Sequence, residues 1–212
     1  MMRRADRKAS CRSLCVLLAL APIGGLRLLA AGSAQSLPPP SIRSSAPASA
    51  ADTRTIDAIY ESGFLVRPVS GQDPTLIVTV GGGGARISDA QWTALAAGRD
   101  QIVELDVRRS HIADADLAKI GQSSGLKRLH LEGNDISDAG VVALASLKAI
   151  EYLNLYGNTR ITDASVDRLA ALASLKRIYL SETGITPEGL KSLRAKRADL
   201  VINGDAAARV HE

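Results

Sequence analysis

Side chains that could do chemistry recur in threes along residues 104–181, each separated from the next by one apolar residue. Three of the chain's four tyrosines lie at these positions, together with several charged residues. Tyrosine and arginine are enriched among the residues that dominate binding energy at protein interfaces. The pattern therefore indicates recognition of a partner. The twelve residues are Glu104, Asp106, Arg108, Arg128, His130, Glu132, Tyr152, Asn154, Tyr156, Arg177, Tyr179 and Ser181.

His130 is the one residue in this set for which catalysis or metal binding has to be considered, because Asp106 and Glu132 share its pattern. Imidazole and carboxylate groups support acid–base chemistry and bind metals. No spacing typical of a zinc site accompanies them, and the other two histidines, His111 and His211, fall in a turn and in the C-terminal tail. The sequence therefore predicts a protein that is not an enzyme, with no metal, no cofactor and no small-molecule substrate.

Partner binding is predicted for nine residues of this set. The alternative is a solvated face whose charges only pair with each other across neighbouring strands, as Asp106 with Arg128. Such exposed pairs contribute only about 0 to 1 kcal/mol each, and the core does not require tyrosines at these positions. The nine residues are Arg108, Arg128, His130, Glu132, Tyr152, Asn154, Tyr156, Arg177 and Tyr179.

The apolar residues between these side chains reveal the elements that position them. Leu126, Leu129, Leu131 and Ile136 form one unit, and the same order begins again at residues 102, 150 and 175, with steps of 24, 24 and 25 residues. These spacings match neither a helical stripe nor a simple strand alternation. A fixed period in this range predicts a solenoid of stacked repeats. Alternation in the middle of each unit predicts a strand with one side in the core.

On these residues the chain resembles a leucine-rich repeat protein with the pattern LxxLxLxxNxI. The second halves, ISDAGVVALASL and ITDASVDRLAAL, are similar to bacterial repeats that continue I-[ST]-D-A-G-L-x-x-L. The resemblance covers roughly residues 75–203. It implies an α/β solenoid with short parallel strands on the concave face, short helices on the convex face and a general role in protein binding, although such folds host many functions.

The resemblance also implies a role for polar residues in the turns. Asn134 and Asn158 occupy the position at which this family uses a buried amide to satisfy backbone groups. Ser110 and Thr183 take that position in the other units and offer fewer hydrogen bonds, so we expect an imperfect ladder. The third unit has one extra residue, Thr159 or Arg160 by position, which should bulge without moving the core.

Each second half is predicted to be a short helix that begins after a capping residue. Ser88, Ser137, Thr162 and Thr186 supply a hydroxyl at this position. Ala113 lacks one and is predicted to be the weakest start. In the incomplete repeat before the first unit, Trp92 is interpreted as a core residue that covers the end of the array.

Residues 1–34 are predicted to be an export signal. Basic residues precede an apolar run at 14–26, and a small-residue cleavage site ends at Ala34. The run is about 13 residues long, short of the roughly 20 needed to span a bilayer. An uncleaved anchor is the alternative, because apolar residues continue beyond Arg27. We expect no membrane span in the mature chain.

Removing the leader changes the charge and the redox chemistry of the chain. Six of 26 basic and one of 22 acidic residues lie in it, which leaves 20 basic against 21 acidic. Composition then gives no reason to expect a nucleic-acid partner. Both cysteines also lie in the leader, so disulfides cannot stabilise the mature protein.

The remaining boundaries follow from composition. Residues 35–51 form a predicted flexible linker rich in Pro, Ser and Ala. Residues 52–86 form a predicted N-terminal cap with a short helix and a β-hairpin, residues 87–204 the leucine-rich repeats with a capping strand, and residues 205–212 a tail. The glycines at 81–84 are interpreted as a permissive turn, because no Gly-Lys-Ser/Thr follows to make a phosphate loop.

The sequence thus predicts an exported protein, periplasmic or extracellular, that binds an unidentified protein partner. Two alternatives stay open. One is a secreted effector or adaptor that acts in a host cell, although no F-box pattern is recognisable. The other is a structural envelope protein without a specific ligand. Recovery of the mature protein from a host cytosol would favour the effector.

Overall fold

The structure, a computed structural model, describes residues 53–70, 73–80 and 84–204. The predicted export signal, linker and tail lie outside them. The described helices are α1 (Thr53–Glu61), α2 (Asp89–Gly98), α3 (Asp114–Ile120), α4 (Asp138–Leu144), α5 (Val166–Ala170, after a 3-10 turn at Asp163–Ser165) and α6 (Pro187–Lys196). The described strands are β1 (Phe64–Ser70), β2 (Asp73–Val80), β3 (Ile102–Asp106), β4 (Arg128–His130), β5 (Tyr152–Asn154), β6 (Arg177–Tyr179) and β7 (Val201–Asn203).

The seven strands form one sheet, in which each strand lies beside the next one along the chain. β1 and β2 pair antiparallel, with Phe64 opposite Val80, which confirms the predicted hairpin. From β2 to β7 all pairs are parallel. Parallel neighbours need a crossover connection, and the second half of each unit supplies it. The prediction of an α/β leucine-rich repeat solenoid is confirmed, with an antiparallel first strand.

The core is formed by the repeated apolar positions. Of the sixteen positions that define the four units, fifteen are buried, and Ile185 is partly buried against the same core. Helix residues such as Val141 and Leu144 cover the sheet from one side. The extra residue of the third unit leaves the following Ile161 fully buried, as predicted. Spacing in the sequence was thus sufficient to find the core.

The amide of Asn134 satisfies the backbone of two neighbouring turns. Its Oδ1 accepts from the N–H groups of Ser110 and Ile112, both at 3.0 Å. Its Nδ2 donates to the carbonyls of Val107 at 3.1 Å and Leu131 at 2.8 Å. One side chain therefore links the second turn to the first.

Asn158 repeats this arrangement one unit later and is fully buried. Its Nδ2 donates to the carbonyls of Leu131 at 3.0 Å and Leu155 at 2.9 Å, and its Oδ1 accepts from the N–H of Ile136 at 3.3 Å. In the fourth unit the hydroxyl of Thr183 donates to the carbonyl of Leu180 at 2.6 Å and accepts from the N–H of Ile185 at 3.4 Å, so it bonds only within its own turn. The ladder is imperfect, as the sequence predicted.

A second feature of the turns was not predicted. The eighth residue of each unit has a positive φ angle: 50° at Arg109, 62° at Gly133, 75° at Gly157 and 57° at Glu182. This left-handed conformation costs an L residue roughly 1–2 kcal/mol and costs glycine little. Two of the four units therefore hold a strained side chain where the other two hold glycine.

The helix starts are tied to one another across units. Ser137 caps α4 by accepting from the N–H of Ala139 at 3.2 Å. The carboxylate of Asp114, at the start of α3, accepts from the N–H of Ser137 at 2.8 Å and from its hydroxyl at 2.6 Å. A Cβ at Gly140 would collide with this carboxylate, which explains the glycine there. We call this arrangement the aspartate tie.

The aspartate tie recurs at the next two junctions. Asp138 accepts from the N–H and hydroxyl of Thr162 at 2.8 and 2.6 Å. It also accepts from the hydroxyl of Ser165, which stands where the units of α4 and α6 have Gly140 and Gly189. Asp163 accepts from the N–H and hydroxyl of Thr186 at 2.9 and 2.7 Å. At three consecutive junctions, the Asp at the start of one helix therefore accepts hydrogen bonds from the Ser or Thr that caps the next helix.

The start of α3 is the exception. Ala113 offers no side-chain cap, as predicted. Its N–H donates instead to the carboxylate of Asp116, in its own helix, at 3.2 Å. Asp89 holds the position of the tying carboxylate in α2, and among the described residues its side chain makes no hydrogen bond to the start of α3.

Arg197 closes the other end of the array. Its guanidinium donates to the carbonyls of Leu172 and Leu175, both at 2.7 Å, and to those of Ala170 and Ala173, both at 3.3 Å. These carbonyls end the preceding helix and its loop, where unpaired acceptors are expected.

Candidate functional site

All twelve polar and aromatic residues lie on the side of the sheet away from the helices, in rows that cross the strands. Glu104, Arg128, Tyr152 and Arg177 stand opposite one another in one row, and Asp106, His130, Asn154 and Tyr179 in the next. Arg108, Glu132, Tyr156 and Ser181 follow at the strand ends. We call these twelve residues the outer sheet face. The structure thus brings together all nine residues for which partner binding was predicted.

The rows extend further than the sequence analysis recognised. β7 adds Val201 beside Arg177 and Asn203 beside Tyr179. β2 adds Ile77 beside Glu104 and Thr79 beside Asp106. Residues on either side of Val78 and of Ile202 follow the same alternation, which could have predicted these additions to the rows. They were missed because β2 and β7 lie outside the four complete units.

Arg128 is held by two neighbours. Its Nε lies 3.1 Å from Oε2 of Glu104, and its guanidinium carbon lies 4.5 Å from the centre of the Tyr152 ring. The expected pair of Asp106 with Arg128 was wrong. In the parallel register Arg128 stands opposite Glu104, whereas Asp106 stands opposite His130.

Asp106 pairs with Arg108, two residues along the chain. Its carboxylate takes two parallel hydrogen bonds from Arg108, from Nε at 2.9 Å and from Nη2 at 2.7 Å. Burial by itself would raise the pKa of Asp106, but the hydrogen bonds and charge of Arg108 and the charge of His130 hold it below the ordinary value. The same hydrogen bonds raise the pKa of Arg108. This pair is therefore ionised at neutral pH.

His130 is buried rather than solvent-facing, with 9% of its surface exposed. Its Nε2 lies 3.5 Å from Glu104 and its Nδ1 lies 3.3 Å from Glu132. Its ring centre lies 4.9 Å from that of Tyr152. The expectation of a solvent-facing histidine was wrong, because the tyrosine and the two carboxylates pack around it.

The aromatic contacts continue across the next strand. The rings of Tyr152 and Tyr179 lie 5.5 Å apart and are tilted by 47°, within the range that favours aromatic pairs. Burial is the main reason that the pKa of Tyr152 is raised. His130, Tyr152 and Tyr179 therefore form a continuous line of rings in the middle of the outer sheet face.

Glu132 is the least satisfied residue of this group. Its Oε1 accepts from the amide of Asn154 at 2.6 Å and faces His130. Its Oε2 is buried and has no hydrogen-bond partner among the described residues. Unpaired buried oxygens are costly. The sequence does not predict this unpaired oxygen, because it depends on how the neighbouring side chains cover the carboxylate.

Two further observations concern alternative functions. Within the described residues, no group of three or more His, Cys, Asp and Glu side chains is placed to hold a metal ion. The helices of the same part of the chain are all too short or too polar to cross a membrane. His111 lies in a turn, with Nε2 at 3.1 Å from the carbonyl of Gly84.

The fold defines a class of protein: a solenoid of strand–turn–helix units with an asparagine ladder in its turns. Comparison with known families gives the same class, since a leucine-rich repeat family model matches residues 124–185. With the geometry of the units, this match shows that residues 124–185 are leucine-rich repeats.

Comparison with individual proteins adds little. A leucine-rich repeat protein of Leptospira interrogans is similar in structure, with 20% sequence identity and a TM-score of 0.31. The match covers 41% of this chain and 27% of that one, so the chain spans about a quarter of that protein's length. No curated protein matches the sequence.

Proposed function

We propose that this chain is an exported, non-catalytic module that binds a protein partner on its outer sheet face. One observation carries the proposal: Arg128, His130, Tyr152 and Tyr179 are held against one another before any partner arrives. Rigid aromatic side chains lose little conformational entropy on binding, so their packing favours affinity. Export rests on the sequence of residues 1–34.

The charges of the face support recognition of a protein rather than of nucleic acid. Glu104 and Asp106 are matched by Arg128 and Arg108 within the face, so it offers no one-sided basic surface of the kind that phosphates require. A mixed face with aromatic residues at its centre is typical of protein interfaces. The core of the repeats does not need these tyrosines, because their side chains point away from it.

The proposal is tested by replacing Tyr152, Tyr156 and Tyr179 with alanine together. Proteins captured from the native envelope by the unaltered chain are identified, and their affinities for the variant are measured. If each tyrosine contributes at least about 2 kcal/mol as a hot spot does, one alone weakens binding about 30-fold and the triple variant weakens it further.

A matched control carries three exposed substitutions on the helices: Val142→Ala, Arg168→Ala and Lys191→Ala. We expect it to bind the same partners with unchanged affinity. Circular dichroism of both variants verifies the fold. Equal binding by the tyrosine variant and the unaltered chain would refute the proposed face, and equal loss in both variants would place the interface elsewhere.

Export is tested separately, by determining the N-terminal residue of the protein purified from its native cells. A mature chain that begins at Gln35 and is recovered outside the cytoplasm is the expected result. A chain that retains its leader in the cytoplasm would contradict export and leave the binding face unaffected.

A further inference from the structure

A second candidate site lies on the helix side of the sheet, away from the outer sheet face. A cavity of about 310 Å³ opens between α2 and α3. Its floor consists of Trp92, Leu95, Ile102, Leu105 and Ile120, which are all buried. This volume is at the lower end of the range of small-molecule sites, about 300–1,000 Å³. We call it the α2–α3 groove.

The groove lies at the junction where the aspartate tie is missing. α3 and α4 pack closely against each other, whereas α2 and α3 do not. Ala113 has no hydroxyl that could donate to the carboxylate of Asp89, and its N–H donates to the carboxylate of Asp116 instead. The junctions that follow carry the tie. The gap therefore coincides with the junction at which the tie is missing.

Among the residues that line the groove, basic side chains outnumber acidic ones. Arg99 and Lys119 line it, together with one acid, Asp89. The guanidinium of Arg99 donates to the neutral amide of Gln122 at 3.2 Å. Lys119 lies 4.8 Å from the centre of the Trp92 ring, directly over the apolar floor, and its Nζ is 3.3 Å from Asp116.

We infer that the α2–α3 groove binds an alkyl carboxylate of medium chain length. The chain would cover Trp92 and the apolar floor, and the carboxylate would lie between Arg99 and Lys119. A cavity of this size holds the volume of about ten liquid waters, which suits a chain of roughly eight to ten carbons. The inference is independent of the protein-binding face, because it concerns different residues on the opposite side of the sheet.

Trp92 makes the inference directly measurable, because it is the only tryptophan in the chain. Octanoate and decanoate are titrated into the purified full chain while tryptophan fluorescence is recorded, and calorimetry gives the dissociation constants. We expect saturable binding. Burying one methylene is worth about 0.8 kcal/mol, which is about fourfold in affinity, so decanoate should bind about 15-fold more tightly than octanoate.

The head group is tested with ligands of equal chain length. Decanol and decyltrimethylammonium should bind more weakly than decanoate. Arg99→Gln should weaken decanoate by up to about fivefold, the size of an exposed ion pair, and leave decanol unchanged. Equal binding of all three ligands, or tightest binding of the cation, would overturn the assignment of an anionic ligand.

The location is tested with two leucine substitutions on α2. Ala96→Leu places a larger side chain in the groove, since Ala96 lines it. Ala97→Leu is the matched control, because Ala97 is exposed and does not line the groove. We expect the first variant to lose decanoate binding and the second to keep it, with equal circular dichroism. Binding that survives in both variants, or no saturable binding in the unaltered chain, would overturn the inference.

Discussion

Single polar side chains hold the turns of this array, and Asn158 shows how much one residue contributes. Replacing Asn158 with alanine would leave the N–H of Ile136 without its partner, and the carbonyls of Leu131 and Leu155 would each lose one of two hydrogen bonds. Because an unpaired buried group costs about 1–3 kcal/mol and each further lost hydrogen bond about 0.5–1.5 kcal/mol, we expect the free energy of unfolding to fall by about 3 kcal/mol, measured by urea denaturation.

Thr183→Ala is the control for that measurement. Thr183 holds the corresponding position but is only partly buried. Its hydroxyl donates to the carbonyl of Leu180 and accepts a long hydrogen bond of 3.4 Å from the N–H of Ile185. We expect a loss of about 1 kcal/mol. Similar losses in the two variants would contradict a special role for the buried amide.

A second residue-scale prediction concerns the positive φ angle of Arg109. Arg109→Gly should raise the free energy of unfolding by about 0.5–1 kcal/mol, because glycine adopts this conformation without strain but loses more entropy on folding. Gly133→Ala is the reciprocal change at the same position of the next unit and should lower it by about 1 kcal/mol. Thermal denaturation measures both. Destabilisation by the Arg109 change would show that its side chain matters more than its backbone.

At the scale of elements, the aspartate tie predicts a dependence of stability on pH. Burial alone would raise the pKa of Asp138, but hydrogen bonds from Ser165 and Thr162 lower it below its ordinary value. A lowered folded-state pKa means that the stabilisation is complete above the unfolded pKa of about 3.9. It is lost as pH falls through the folded pKa, because the unfolded chain takes up the proton first.

Asp138→Asn tests this dependence. The variant should be less stable by about 1–2 kcal/mol at pH 7, since a hydrogen bond to a charged group is replaced by a neutral one. The difference should shrink towards pH 3 in urea titrations. Asp89→Asn is the control at the corresponding position of α2, where no tie forms, and should change stability little at either pH. A constant difference across pH, or equal effects in both variants, would contradict the tie.

The strands and the outer sheet face show which features the sequence predicts and which it does not. Leu129, Leu131 and their counterparts predicted the strands and the core, because a 24-residue period has few physical solutions. The rows of the outer sheet face also followed, since alternate residues of a strand share a side. The partner of Arg128 did not follow, because it depends on the register between strands. The burial of His130 depends on how Tyr152 packs over it, which spacing does not encode.

At the scale of the whole molecule, stability in a repeat array is set by the contacts between neighbouring units. The junction between α2 and α3 lacks the aspartate tie that the following junctions carry, so its helix side should open more easily. Amide hydrogen exchange in native conditions measures such local opening. We expect amides of α2 to exchange faster than those of α4, which is tied at both sides by Asp114 and Asp138.

Restoring the missing hydroxyl provides the test of this asymmetry. Ala113→Ser supplies a cap for α3 and a partner for Asp89, and a cap is worth about 1 kcal/mol, or roughly fivefold in exchange rate. Exchange in α2 and α3 should therefore slow about fivefold, while exchange in α5 stays the same. Ala139→Ser, which adds a hydroxyl to an exposed position beside an existing tie, is the control and should change neither. Uniform slowing along the chain would mean that the array opens as one unit, and unchanged exchange in α2 would mean that Asp89 cannot reach the new hydroxyl.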